Sequence, residues 1–312
     1  MWTFLVFGRP FRQGRYGYIL GGYTTSTEAT VDCITFATQT TAALASATLT
    51  EARDNLAALS DGVRFGYTLG GSHTNNVATV VATAECTTFA TQATAARVSA
   101  NLSLARMYCN ALSDGTCYGY TMGGYYGASQ NSAVADCTTF ATQATAALVS
   151  ASLTLARRGM SCISDGSRYG YALGGLAQHQ TDCITFATQV TASCDSAVLS
   201  SYRGYLAGMS GKGVGGYSLG GYTTTYVVTA DKTTFATQVT AAVASANLTQ
   251  ARNTLACNSD GVCFGYAYGG SIPSAVATAD CVTLATETTA ALTSANLSQA
   301  RLGVVGMADD NV

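Results

Sequence analysis

Six Gly-Gly pairs, at residues 21/22, 70/71, 123/124, 174/175, 220/221 and 269/270, stand 49, 53, 51, 46 and 49 residues apart in a chain of 312. A repeat of this length is one supersecondary unit that cannot bury its own apolar face, so the copies must pack against one another. Each pair follows a glycine (Gly17, Gly66, Gly119, Gly170, Gly216, Gly265) and a tyrosine (Tyr18, Tyr67, Tyr120, Tyr171, Tyr217, Tyr266) at fixed spacing. In "FGYTLGG", Phe65, Tyr67 and Leu69 alternate with Gly66, Thr68 and Gly70. That is a strand with a bulky face and a flat one, the flat one open to a neighbouring backbone.

Three further segments recur. "SDG" at 60–62 returns at 113–115, 164–166 and 259–261, and predicts a two-residue type I′ turn with the apolar strand Leu56 to Leu59 on its near side. "DCITFATQT" at 32–40 returns in every copy, as does a segment like "AALASATLTEAR" at 42–53 that ends in arginine. Four short strands per copy, six times, predict an all-β chain: a six-bladed β-propeller with four antiparallel strands per blade.

With an arginine before the first strand, an aromatic strand ending in Gly-Gly and a following "D-C-x-T-F" strand, the repeats resemble the kelch-type β-propeller across residues 15 to 312. The tryptophan of that family is replaced by small residues such as Ala43, so blade packing is expected to rest on Phe36, Phe89, Phe140, Phe186, Phe235 and Leu284. The last copy stops after "LGVVGMADD" where the others enter their aromatic strand, and "RYGYILGG" near the start is that missing strand. The two ends are therefore expected to share one closing blade and leave no open edge. Residues 1–14 form a non-repeat arm and 15–312 the propeller.

Nearly every polar residue of catalytic type occurs in all copies, whereas an active site needs different residues in different roles. The sequence thus predicts no enzyme and no cofactor. Arg53, Arg106, Arg157, Arg203, Arg252 and Arg301 either line a channel and bind an anion or each pair with one of the third-strand acids Asp32, Glu85, Asp136, Asp182, Asp231 and Asp280; the matching counts, six to six, favour structural pairs. The two histidines, His73 and His179, lie in loops, and the Asp and Cys near His179 recur in copies that lack a histidine, which argues against a metal site. Of eleven cysteines, Cys33, Cys86, Cys137, Cys183 and Cys281 hold one strand position, with Lys232 in the sixth copy. They read as small apolar fillers between blades, with disulfides as the alternative.

Function is expected where the copies differ. The loops after Gly-Gly vary, and Tyr23, His73, Tyr125, Tyr126, His179, Tyr222 and Tyr226 on one propeller face are candidates for contact with a glycan or protein. The arm "MWTFLVFGRPFRQGR" carries the only tryptophan, Trp2, with Phe4, Phe7 and Phe11 among arginines. It is expected either to plug the channel or cover the closing blade, or to dock the ring to a partner. Only 10% of residues are charged and the net charge is −2, which gives no electrostatic reason to bind nucleic acid. No apolar run reaches the roughly 20 residues of a membrane span, and the start lacks a basic region and cleavage site, so neither membrane insertion nor general secretion is expected.

The sparsely charged Thr/Ala/Ser-rich repeats also resemble those of proteins encoded by tailed bacteriophages. That resemblance implies a structural, non-enzymatic virion component in capsid, neck, tail or fibre, assembled in the host cytoplasm. It would dock to other virion proteins through the arm and contact a host-surface glycan or protein. The alternatives are a receptor-binding propeller of a tail fibre and a cytosolic kelch-like adaptor.

Overall fold

A computed structural model of the chain describes residues 13–309, except 128, 129, 177 and 212. Blade 2 shows the plan. Its strands are Ala57–Ser60 innermost, then Phe65–Leu69, Ala84–Thr88 and Ala93–Ala96 outermost, joined antiparallel in chain order. Blades 3 to 6 repeat it with innermost strands Asn110–Ser113, Ser161–Ser164, Ala207–Gly211 and Ala256–Ser259. Each innermost strand touches the next around a complete ring, so the fold is an all-β six-bladed propeller. In blade 1 the innermost strand is Val305–Ala308, paired with Tyr16–Leu20, and Val31–Thr35 and Thr40–Ala43 follow. Both ends of the chain thus complete one blade, which leaves the ring without an open seam.

The flat strand face does a different job from the one expected. A side chain, not a backbone, enters it: a Cβ at Gly119 would lie 2.7 Å from Cδ2 of Leu59 in the preceding blade, and Gly66 receives Met307 in the same way. The bulky face stacks in the opposite direction. Tyr18 on Phe89, Tyr67 on Phe140, Tyr120 on Phe186, Tyr171 on Phe235 and Tyr266 on Phe36 lie with ring centroids 5.5 to 6.0 Å apart across five seams. The five strand cysteines join these same aromatic clusters. All eleven thiols are free. Burial pushes Cys33 and Cys183 up to about 12 and Cys86, Cys137 and Cys281 up to about 11, which keeps them as unreactive thiols.

The turn before the aromatic strand is wider than a two-residue type I′ hairpin. Asp61 N donates to the Phe65 carbonyl at 3.0 Å, while its Oδ1 accepts from the amides of Val63, Arg64 and Phe65 at 2.9, 2.7 and 2.8 Å. Gly62 takes φ +74° within this loop. Asp114, Asp165 and Asp260 bind their loops alike, so the repeated aspartate is there to satisfy amides that the strand ladder leaves free.

Candidate functional site: two unlike faces of the ring

The Gly-Gly pairs and the arginines build one junction. Both glycines of every pair have positive φ. In blade 1, Gly22 N donates to the Arg53 carbonyl at 2.9 Å, and a Cβ on Gly21 would lie 2.5 Å from that same oxygen. Only glycine meets both demands. The arginine then turns its guanidinium into its own blade, where Arg53 Nη1 donates to the Gly70 carbonyl and Nη2 to Glu85 at 2.7 Å. Arg106–Asp136 (2.9 Å), Arg157–Asp182 (2.7 Å), Arg203–Asp231 (2.6 Å), Arg252–Asp280 (2.9 Å) and Arg301–Asp32 repeat the pair. All six arginines are buried. The guanidinium satisfies carbonyls at the end of its blade and the carboxylate neutralises it, so these charges point into the sheets and not toward a ligand.

The variable loops lie on the same face as these junctions. Tyr23 bridges Leu302 and Thr27; Tyr222 bridges Gly204 and packs edge-on to Tyr226 with centroids 5.6 Å apart. His73 Nδ1 lies 3.1 Å from the Ala52 carbonyl, with Glu51 on its other nitrogen at 3.8 Å. His179 stacks on Tyr202 at 4.0 Å, Tyr126 donates to Gln130, and Tyr125 lies beneath the Arg158 guanidinium, 3.8 Å from its carbon. These seven candidates are spread over the junctions of five blades, with Tyr125 and Tyr126 sharing one and Tyr222 and Tyr226 another, and do not converge on one point.

What converges at the axis was absent from the sequence reading. Two residues after each junction arginine stand Asn55, Tyr108, Gly159, Tyr205, Thr254 and Gly303, all with φ between 49° and 63°. Each donates its amide to the carbonyl of the preceding one: Asn55 to Gly303, Tyr108 to Asn55, Gly159 to Tyr108, Tyr205 to Gly159, Thr254 to Tyr205 and Gly303 to Thr254, at 2.7 to 2.9 Å. This closed ring of six hydrogen bonds lines a small pocket of about 60 Å³. Above it Tyr108 and Tyr205 meet edge-to-face at 5.0 Å, and Arg158 Nε donates to the Tyr205 hydroxyl at 3.2 Å. The only sequence sign was position: these are the residues that differ just after an arginine that does not.

The opposite face is open. There the channel widens to a funnel of about 940 Å³, with Leu59, Leu112, Ile163, Met209 and Met307 deep in its wall and Ser60, Ser113, Ser164, Ser210 and Ser259 nearer the mouth. Among the described residues no group of three or more His, Cys, Asp or Glu is placed to hold a metal, and no helix is long and apolar enough to cross a membrane. The arm residues Trp2, Phe4, Phe7 and Phe11 lie outside the described residues. The chain matches no family model and no curated protein sequence.

Proposed function

We propose that this propeller is a non-enzymatic interaction protein of the kelch-like kind and a structural component of a tailed-bacteriophage virion. Its N-terminal arm docks it to other virion proteins, and its Gly-Gly loop face meets a host-surface glycan or protein. One observation carries the reading: the repeated polar chemistry is consumed in holding the ring together, six buried arginines on six carboxylates, so chemical variety is left to the loops and the arm. A rigid ring with variable loops is a scaffold for recognition. The phage assignment rests on the resemblance of the sparsely charged repeats. Mass spectrometry of purified particles from the source tests it. The account expects the chain at fixed stoichiometry to the capsid or tail proteins; recovery only in the particle-free lysate would overturn it in favour of a cytosolic adaptor.

A further inference from the structure

The funnel and the first described residues, Gln13 and Gly14, lie together. Gly14 N donates to the Asp260 carbonyl at 2.9 Å and Gln13 Nε2 donates to the Asp260 carboxylate at 2.7 Å. Asp260 sits between Ser259 and Gly261, both of which line the funnel. The described chain therefore begins at the funnel mouth, not at the loop face. Twelve residues reach up to about 40 Å when extended, several times what entering the channel beside the anchor requires.

The chemistry of the funnel and of the arm also agrees. The funnel is apolar at depth except for Asn258, is lined by hydroxyls, glycines and Asp165 near its opening, and has three half-exposed valines on the loops around it: Val63 (48% exposed), Val214 (64%) and Val262 (42%). Its volume falls in the range of about 300–1,000 Å³ typical of pockets that enclose compact ligands. Among the described residues that line it, a phosphate or a charged sugar finds no cation. An apolar segment finds a desolvated wall for its side chains and polar groups near the mouth for its backbone. "WTFLVF" at 2–7 is such a segment, and the sparsely charged body has no counterpart to it outside the blades.

We propose that the funnel is a receptor for an apolar, aromatic-rich peptide segment and that in the free chain its occupant is residues 1–12 of the same molecule. The short tether supplies an effective concentration on the order of millimolar, so even weak intrinsic affinity keeps the segment seated. The inference rests on the docking-arm reading only for the identity of the segment: a partner takes the arm by drawing it out of its own ring.

Trp2 is the sole tryptophan and reports directly. In the purified full chain, its emission excited at 295 nm should be blue-shifted and its quenching by acrylamide several-fold weaker than in a synthetic peptide of residues 1–12. Ser113→Arg, which puts bulk and charge into the funnel and gives up the bond that the Ser113 hydroxyl accepts from Gly115 N, should return both values to those of the free peptide while the ring still melts in one cooperative transition. Independently, the peptide should bind the chain lacking residues 1–12 saturably and fail to bind that chain carrying Ser113→Arg. Solvent-like Trp2 emission in the full chain, Trp2 protection that survives Ser113→Arg, or no saturable peptide binding would each overturn the proposal. These measurements need no particle, so their failure leaves the virion assignment standing, and absence from particles leaves a seated arm standing.

Discussion

Five seams between blades are built from one set of side chains and the sixth from another. Between blades 1 and 2, Tyr18 stacks on Phe89, Cys33 lies in the same cluster, and Gln92 Nε2 donates to the Tyr18 hydroxyl at 3.3 Å. Between blades 5 and 6, Leu284 stands in place of the phenylalanine, Lys232 of the cysteine and Glu287 of the glutamine. Lys232 Nζ pairs with the Glu287 carboxylate and lies 5.8 Å from the centre of the Tyr217 ring. Gly215 replaces the aromatic residue that opens this strand in the other blades, and a Cβ there would come within 2.8 Å of Lys232 Cε. The four replacements make sense only together. A lysine needs both the space that the lost ring vacates and an anion across the seam, because a half-buried ammonium left unpaired is costly. A repeat position is thus free to change chemistry when its partners across the seam change with it.

The comparison breaks most completely if the ring itself opens. Removing residues 301–312 takes away the innermost strand of blade 1 and the arginine that neutralises Asp32. Loss of the folded state and aggregation are expected, and a monomer with an unchanged melting curve would refute closure. Next in size is the aromatic seam: Phe140→Ala removes the partner of Tyr67 and should cost about 3–5 kcal/mol in denaturant unfolding, to the same extent at low and high salt.

A buried charge without a partner gives a smaller, pH-dependent effect. Asp54 is fully buried, its carboxylate oxygens have no hydrogen-bond partner, and desolvation pushes its acid up to about 7. The equivalent junction residues Met107, Arg158, Gly204, Asn253 and Leu302 bring no such penalty. The raised value favours the neutral acid in the folded state, so its contribution to stability is full below about pH 4 and is lost as pH rises through about 7. Asp54→Asn should raise the melting temperature at pH 8, by an amount equivalent to a few kcal/mol at most, and leave it nearly unchanged at pH 4. The smallest effect is expected at the odd seam: Lys232→Ala should cost about 1 kcal/mol, and unlike Phe140→Ala the cost should shrink as salt is added. A salt-independent loss there would mean that the lysine acts by packing alone.

How much of this could be read from the sequence follows from what repeats. Blade number was legible because the unit is written six times, the shared closing blade because the last copy lacks the strand that stands near the start, and the class of partner for the arginines because a buried charge permits few. The turn after Ser60 was misread because its width is set by the Asp61 carboxylate capturing three amides, and Asp-Gly alone suits a tighter hairpin equally well. The axial hydrogen-bond ring was illegible for the opposite reason. Asn55, Tyr108, Tyr205 and Thr254 adopt left-handed backbone without a glycine to announce it, and their side chains share nothing. The funnel follows from that ring closing one end only. Five of the seven candidates lie in loops, while Tyr125–Tyr126 form a short strand paired with Gln130–Asn131, and the spread of all seven over five junctions depends on blade geometry that no single repeat records.

The central claim is that the repeated ring is scaffold and the unrepeated arm makes the contact that gives it a place. Deleting residues 1–12 and measuring both melting and incorporation into particles tests it most directly. The account predicts a ring that melts as the full chain does and is missing from purified particles. A deleted chain that incorporates at the normal stoichiometry would contradict it.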